Sequence, residues 1–157
     1  MANKIILLFS HILTESQISE LKNHFNIETI TYLPDYLQNI WSNIPPDYID
    51  IEKELTSIKE FVTQNLYNNG KNYILVQGEY GAVYDMVNFA FENNCIPIYS
   101  ASKRAYESKK IDEDKIENIH YFKHIKFQLY KESNRKWIRR DNRYGFENTF
   151  SAWNFRL

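Results

Sequence analysis

The sequence predicts an α/β domain with a mostly parallel, Rossmann-like sheet and helices on both faces. Three observations predict it. Apolar runs of strand length recur at Ile5, Ile27, Tyr73 and Ile96, helical patterns separate most of them, and several end abruptly in small polar or cationic residues. Runs that are apolar throughout belong to strands covered on both faces, which is the parallel-sheet arrangement. A chain of 157 residues, 43% hydrophobic, buries one core and is too short for two ordinary domains.

The elements follow in order. Ile5 to Phe9 reads as a buried strand. Thr14, with Gln17 three residues on, forms a capping box that opens a helix striped by Ile18, Leu21 and Phe25. Ile27 to Leu33 is a second strand. Pro34 opens a short helix carrying Tyr36, Leu37, Ile40 and Trp41, closed by Pro45 and Pro46. Tyr48 to Asn69 reads as one long amphipathic helix ended by Gly70. A third strand, Tyr73 to Val76, leads through Gln77-Gly78-Glu79-Tyr80-Gly81 into a helix from about Ala82 to Asn94. Ile96 to Tyr99 is the fourth strand, Ser102 to Glu117 is polar and charged, and His120 to Tyr130 alternates like an exposed antiparallel strand. The domain is therefore assigned to residues 1–130, with 131–157 as a basic, aromatic extension packed on the same domain or on a dimer.

Composition narrows the function classes. Residues 1–119 hold ten Lys and Arg against seventeen Asp and Glu, whereas residues 120–157 hold nine against three. The basic end interleaves Arg139, Arg140 and Arg143 with Trp137 and Tyr144, a surface suited to nucleic acid or to an acidic protein face. No run reaches the ~20 apolar residues of a membrane span, and the expected location is cytoplasmic. The one cysteine, Cys95, lies in an apolar stretch and reads as a core residue. His120 and His124 share a strand face, a spacing that suits a metal only on a helix, so neither a metal nor a cofactor is expected.

Ligands of doubly wound sheets sit beyond the carboxyl ends of the strands. Three such ends are legible: Ser10 and His11, Gln77 to Gly81, and Ser100 to Arg104. Two of the four glycines fall within five residues there, at Gly78 and Gly81, where backbone N–H groups and a helix N-terminus could face an anion. Neither the dinucleotide nor the P-loop spacing is matched, and a plain strand-to-helix turn explains the same residues. Glu79 is awkward beside an anion and suits a helix cap. Trp41 could lid a ligand or fill the core, and Lys103 with Arg104 could hold phosphate or be solvated.

Taken as a set, these segments resemble a known family. Leu7-Leu8-Phe9-Ser10-His11, Tyr32-Leu33-Pro34 with Trp41 and Pro45-Pro46, Val76-Gln77-Gly78-Glu79-Tyr80-Gly81-Ala82, Ile96-Pro97-Ile98-Tyr99 with Lys103 and Arg104, and Phe122 to Phe127 resemble, in order, a CRISPR-associated ancillary family of the Csx type. The resemblance covers residues 4 to about 130. It implies a CARF-like homodimer that binds cyclic oligoadenylate, the second messenger of type III CRISPR defence, and linearises cyclic tetra-adenylate without metal. The implied catalytic residues are His11 as acid or base, Ser10 on a phosphate oxygen and Arg104 on the developing charge. The implied ligand-binding residues are Gln77, Gly78, Tyr80, Gly81, Ser102, Lys103 and Trp41. Two other readings stay open: a sensor that binds the ring without cutting it, and an RNA nuclease using the basic tail.

Overall fold

The computed structural model describes residues 2–132. Strands β1 (Asn3–Leu8), β2 (Ile27–Tyr32), β3 (Asn72–Val76), β4 (Ile96–Asp112) and β5 (Lys115–Leu129) form one five-stranded sheet in the order β2-β1-β3-β4-β5. The first four are parallel to their neighbours, and β5 runs antiparallel to β4. Helices α1 (Glu15–His24), α2 (Asp35–Ser42), α3 (Ile51–Glu54), α4 (Thr56–Gln64) and α5 (Tyr80–Glu92) fill the connections.

Strand β1 explains the layering. All six of its residues are buried, and successive side chains point to opposite faces. Ile5 and Leu7 pack with Leu13, Leu21 and Phe127 on the side covered by α1. Ile6 and Leu8 pack with Leu37, Trp41, Ile58, Val62 and Met86, supplied by α2, α4 and α5. Each fully buried Leu or Ile contributes roughly 1.5–3 kcal/mol of transfer free energy. The chain leaves β1 toward β2 over one face and β3 toward β4 over the other, so the winding reverses between β1 and β3.

The capping box at α1 is formed as expected: the Gln17 N–H donates to Thr14 Oγ1 at 3.3 Å and the Thr14 N–H donates to Gln17 Oε1 at 2.9 Å. The long helix expected from Tyr48 to Asn69 is instead two. Asp50 caps the short α3 by accepting the Glu52 N–H at 3.0 Å, buried Leu55 separates α3 from α4, and α4 ends at Gln64. Gly70, at φ +143°, serves the turn into β3, where a Cβ would run into the Ala2 carbonyl.

The larger difference is at β4, expected to stop at Tyr99. It continues to Asp112 and pairs with β5 along a ribbon from Ile98↔Leu129 to Asp112↔Lys115. The polar stretch 102–117 thus comprises the outer part of β4, the turn at 113–114 and the start of β5, and the expected antiparallel strand at 120–130 is the rest of β5. A bulge between Ala101 and Ser102 leaves Ile125 outside the pairing. The bulge places His120 and His124 on the face of Ser102 and Tyr106, and Lys123 and Lys126 on the face of Lys103 and Ala101.

Cys95 is buried, and burial pushes its thiol up to about 11. Among the described residues, no helix is long and apolar enough to cross a membrane, and no cluster of His, Cys, Asp and Glu could hold a metal ion. The arginine-rich extension from residue 133 onward lies outside the described residues.

Candidate functional site at the carboxyl edge

The ends of β1 and β3 meet at the reversal point. The Gln77 N–H donates to the Leu8 carbonyl at 3.0 Å, extending the ladder one residue past the end of β3. Beyond it the chains part, one toward α1 and the other toward α5. Ser10 and His11 are exposed in the first loop, and the His11 ring meets Phe9 edge-on at 5.3 Å. Ser42 of α2 donates to Ser10 Oγ at 3.2 Å, and Gln38 donates to the Phe9 carbonyl at 3.1 Å, so α2 braces this loop. His11 does not cap α1, where Thr14 holds that position, and among the described residues it has no hydrogen-bond partner in another element.

Gln77 is the hub. Its carbonyl accepts the Trp41 indole N–H at 3.2 Å, and its side-chain oxygen accepts the Ser100 N–H at 3.1 Å. Loops after β1 and β3 and the middle of β4 are thereby linked along one edge. The side chain of Gln77, expected to bind a ligand, thus has its oxygen engaged in an internal bond.

The glycine turn is explained by packing. A Cβ on Gly78 would approach the Trp41 ring at 3.0 Å, and one on Gly81 would collide with the Tyr48 hydroxyl. Glu79 is the N-cap of α5, its carboxylate accepting the Ala82 N–H at 2.8 Å. A carboxylate therefore occupies the helix N-terminus that the sequence offered to phosphate, and neither Gly78 nor Gly81 requires positive φ. Tyr80 stands free above this turn, 92% exposed. Trp41 is corrected from a ligand lid to a core residue: it is 2% exposed, packed against Leu37, Ile58 and Met86.

The third expected strand end does not exist, because β4 runs on. Ser102, Lys103 and Arg104 are exposed on the ribbon, opposite His124, Lys123 and Phe122. At ~3.3 Å per residue Arg104 sits about 13 Å along the ribbon from Ser100. Ser10, His11, Gln77 and Tyr80 gather at the reversal point; Arg104 and Lys103 project away from it, on opposite faces.

One constellation escaped the sequence reading. Ser100, buried on β4, lies 2.6 Å from His124 Nδ1, and His124 Nε2 lies 2.7 Å from Glu20 Oε2 on α1. The second oxygen of Glu20 accepts the Phe127 N–H at 2.9 Å. Gln17 Nε2 donates to Ser100 Oγ at 3.3 Å. Ser100 and His124 are 24 residues apart and Glu20 is 104 from His124, so only the ribbon register and its bulge bring them together. The sequence-level signal was limited to His124 on an alternating strand. A surface depression on α3 and α4, lined by Glu52, Thr56, Lys59, Glu60, Thr63 and Gln64, lies on the outer side of the helical layer, away from these residues.

Fold and site together define a doubly wound α/β domain with a polar carboxyl edge and a projecting antiparallel ribbon. The chain belongs to the MJ1673 family, whose model matches residues 3–128. A relative from Methanocaldococcus jannaschii, "Uncharacterized protein MJ1673", is 48% identical over 128 residues, covering 81% of this chain and 96% of that protein. No solved structure matches the chain.

Proposed function

We propose that the domain is CARF-like, that two copies bind a cyclic oligoadenylate across their carboxyl edges, and that the pair linearises cyclic tetra-adenylate without metal. The observation carrying this reading is the juxtaposition of the β1 and β3 ends, tied by the Gln77-to-Leu8 bond, with His11, Ser10 and Tyr80 left exposed at the reversal point. The resemblance to Csx-type ring nucleases runs through these same segments.

A ring of four phosphodiesters suits a two-fold dimer, which presents each loop set twice. Cleavage requires a ribose 2′-hydroxyl held in line with its own phosphate, and positioning of that kind supplies roughly 7–11 kcal/mol of barrier reduction. Ser10 would hold a phosphate oxygen, His11 would protonate the departing 5′-oxygen, and Tyr80 would stack on adenine. Lys103 and Arg104, carried outward on the ribbon, would meet phosphates of a ligand shared between copies. Gly78 and Gly81 let the Trp41 and Tyr48 side chains approach the turn.

The test is incubation of the purified chain with cyclic tri-, tetra- and hexa-adenylate in EDTA, with products separated by chromatography. Loss of the tetra-adenylate ring to linear products ending in a 2′,3′-cyclic phosphate is expected. All three rings recovered intact would reject the enzyme, and tight stoichiometric binding without product would leave a sensor.

A further inference from the structure

We propose that Ser100, His124 and Glu20 form a proton relay whose outer end, Ser100 Oγ, accepts a proton from a ligand hydroxyl brought to the carboxyl edge. The direction of the chain follows from its donors and acceptors. The Glu20 carboxylate only accepts, so His124 Nε2 carries the proton of the 2.7 Å bond, and in the neutral ring, the form in which the relay works, Nδ1 is the acceptor. Gln17 Oε1 accepts the Thr14 N–H, which turns its amide nitrogen toward Ser100. That N–H occupies a lone pair of Ser100 Oγ, and the hydroxyl proton points at His124 Nδ1 across 2.6 Å.

A hydroxyl, an imidazole and an orienting carboxylate in series is the arrangement that activates a serine. Holding α1 to β5 does not require it, because Glu20 Oε1 already makes that link to the Phe127 N–H. The carboxylate is the part a purely structural pin could replace with an amide. Ser100 retains 8% of its surface and is one hydrogen bond from Gln77 at the reversal point.

The step balances as follows. The ligand O–H bond breaks as a Ser100 O–H bond forms, while the original Ser100 proton moves to His124 Nδ1. The imidazolium so formed is held by the Glu20 carboxylate. The ligand oxygen donates its freed electron pair to an adjacent phosphorus, the opposite P–O bond breaks, and its oxygen takes a proton from water or His11. The attack on phosphorus rests on the ring-nuclease reading, in which the relay supplies the base that removes the 2′-hydroxyl proton; activation of Ser100 by His124 and Glu20 does not.

An activated hydroxyl is also nucleophilic, which permits a test on the intact chain with diisopropyl fluorophosphate. The Ser100 Oγ–P bond forms, the P–F bond breaks, fluoride leaves, and the proton passes to His124. Peptide mass spectrometry is expected to find Ser100 modified, with the rate at least tenfold lower in His124→Gln and in Glu20→Gln. The second variant keeps the size of the side chain and an oxygen for the Phe127 N–H, but it turns an N–H donor toward His124 Nε2 and so moves the imidazole proton to Nδ1; a structural pin survives that exchange and would leave the rate unchanged, whereas the relay loses its acceptor. Thermal unfolding of both variants confirms that they fold. No modification of Ser100, or modification at the same rate in a folded Glu20→Gln variant, would overturn the proposal. Ring cleavage measured in parallel separates the two readings: modification without cleavage retains the relay and rejects the nuclease, whereas equal cleavage by wild type and Ser100→Ala does the reverse.

Discussion

Strand β1 and the outer half of the β4–β5 ribbon are both β-structure, yet they are held in opposite ways. Every residue of β1 is buried between helical layers, whereas residues 106–123 of the ribbon are exposed on both faces. The first is stabilised by removing apolar surface from water; the second rests on its own ladder, and a lone two-stranded ribbon in water is marginal. The polar edge of the domain lies where the two regimes meet, at Gln77 and Ser100.

The contrast predicts very unequal responses to substitution. The largest belongs to Trp41, which fills the helical layer and donates to the Gln77 carbonyl. Trp41→Ala is expected to cost about 3–5 kcal/mol of unfolding free energy. Urea titration measures it. A loss under about 1 kcal/mol would show that the indole is not a core residue and would return it to the ligand.

Next comes the alkaline behaviour of Cys95, in the same layer. Its thiol is pushed up to about 11 by burial, from an ordinary 9.0. Between those values the unfolded chain has lost the proton and the native chain retains it, so stability falls as pH rises through this window. Below pH 9 this contribution is intact. Denaturation midpoints at pH 8 and pH 10.5 should differ more in wild type than in Cys95→Ala, since the variant removes the group; equal differences would place the alkaline loss elsewhere, with Tyr73 and Tyr130, also raised by burial, the first candidates.

A smaller effect is expected where the body begins to be capped. Thr14→Ala removes the acceptor for the Gln17 N–H and one of the two donors to Gln17 Oε1, leaving the backbone N–H of residue 14 on that oxygen, at a cost of about 1 kcal/mol. Because Gln17 also donates to Ser100, this variant sharpens the link between cap and edge. Loss of stability alone is expected if Gln17 keeps its place; slower organophosphate modification of Ser100 as well would show that the cap positions the relay.

How much was legible in the sequence follows the same divide. Continuous apolar runs announced β1, β3 and the start of β4, and Thr14 with Gln17 announced α1, because burial and capping leave local signatures. The ribbon left only part of one: alternation from His120 to Tyr130 announced most of β5, whereas the residues from Ser102 to Glu117 pair through backbone groups that any side chain permits, so their polar composition was read as the end of a strand. The site divides likewise. The fold rule pointed to the β1 and β3 loops, while the reason for glycine at positions 78 and 81, the approach of the Trp41 and Tyr48 side chains, lies far away in sequence. The Glu20–His124–Ser100 chain was out of reach, since its members meet only through the ribbon register and a one-residue bulge.

The smallest effect is expected at the ribbon itself, and it tests the comparison most directly. Tyr106 and Phe122 are 71% and 74% exposed on the same ribbon face, so replacing both with Ser removes little that the monomer buries. The unfolding free energy of dilute protein should change by no more than about 0.5 kcal/mol. Repeating the measurement at rising protein concentration makes the result informative in either direction. A change that stays small throughout means the ribbon is an appendage of the body. A loss that grows with concentration in the variant relative to wild type means that these side chains are buried between copies, and the apparent weakness of the ribbon is then a property of one chain considered alone.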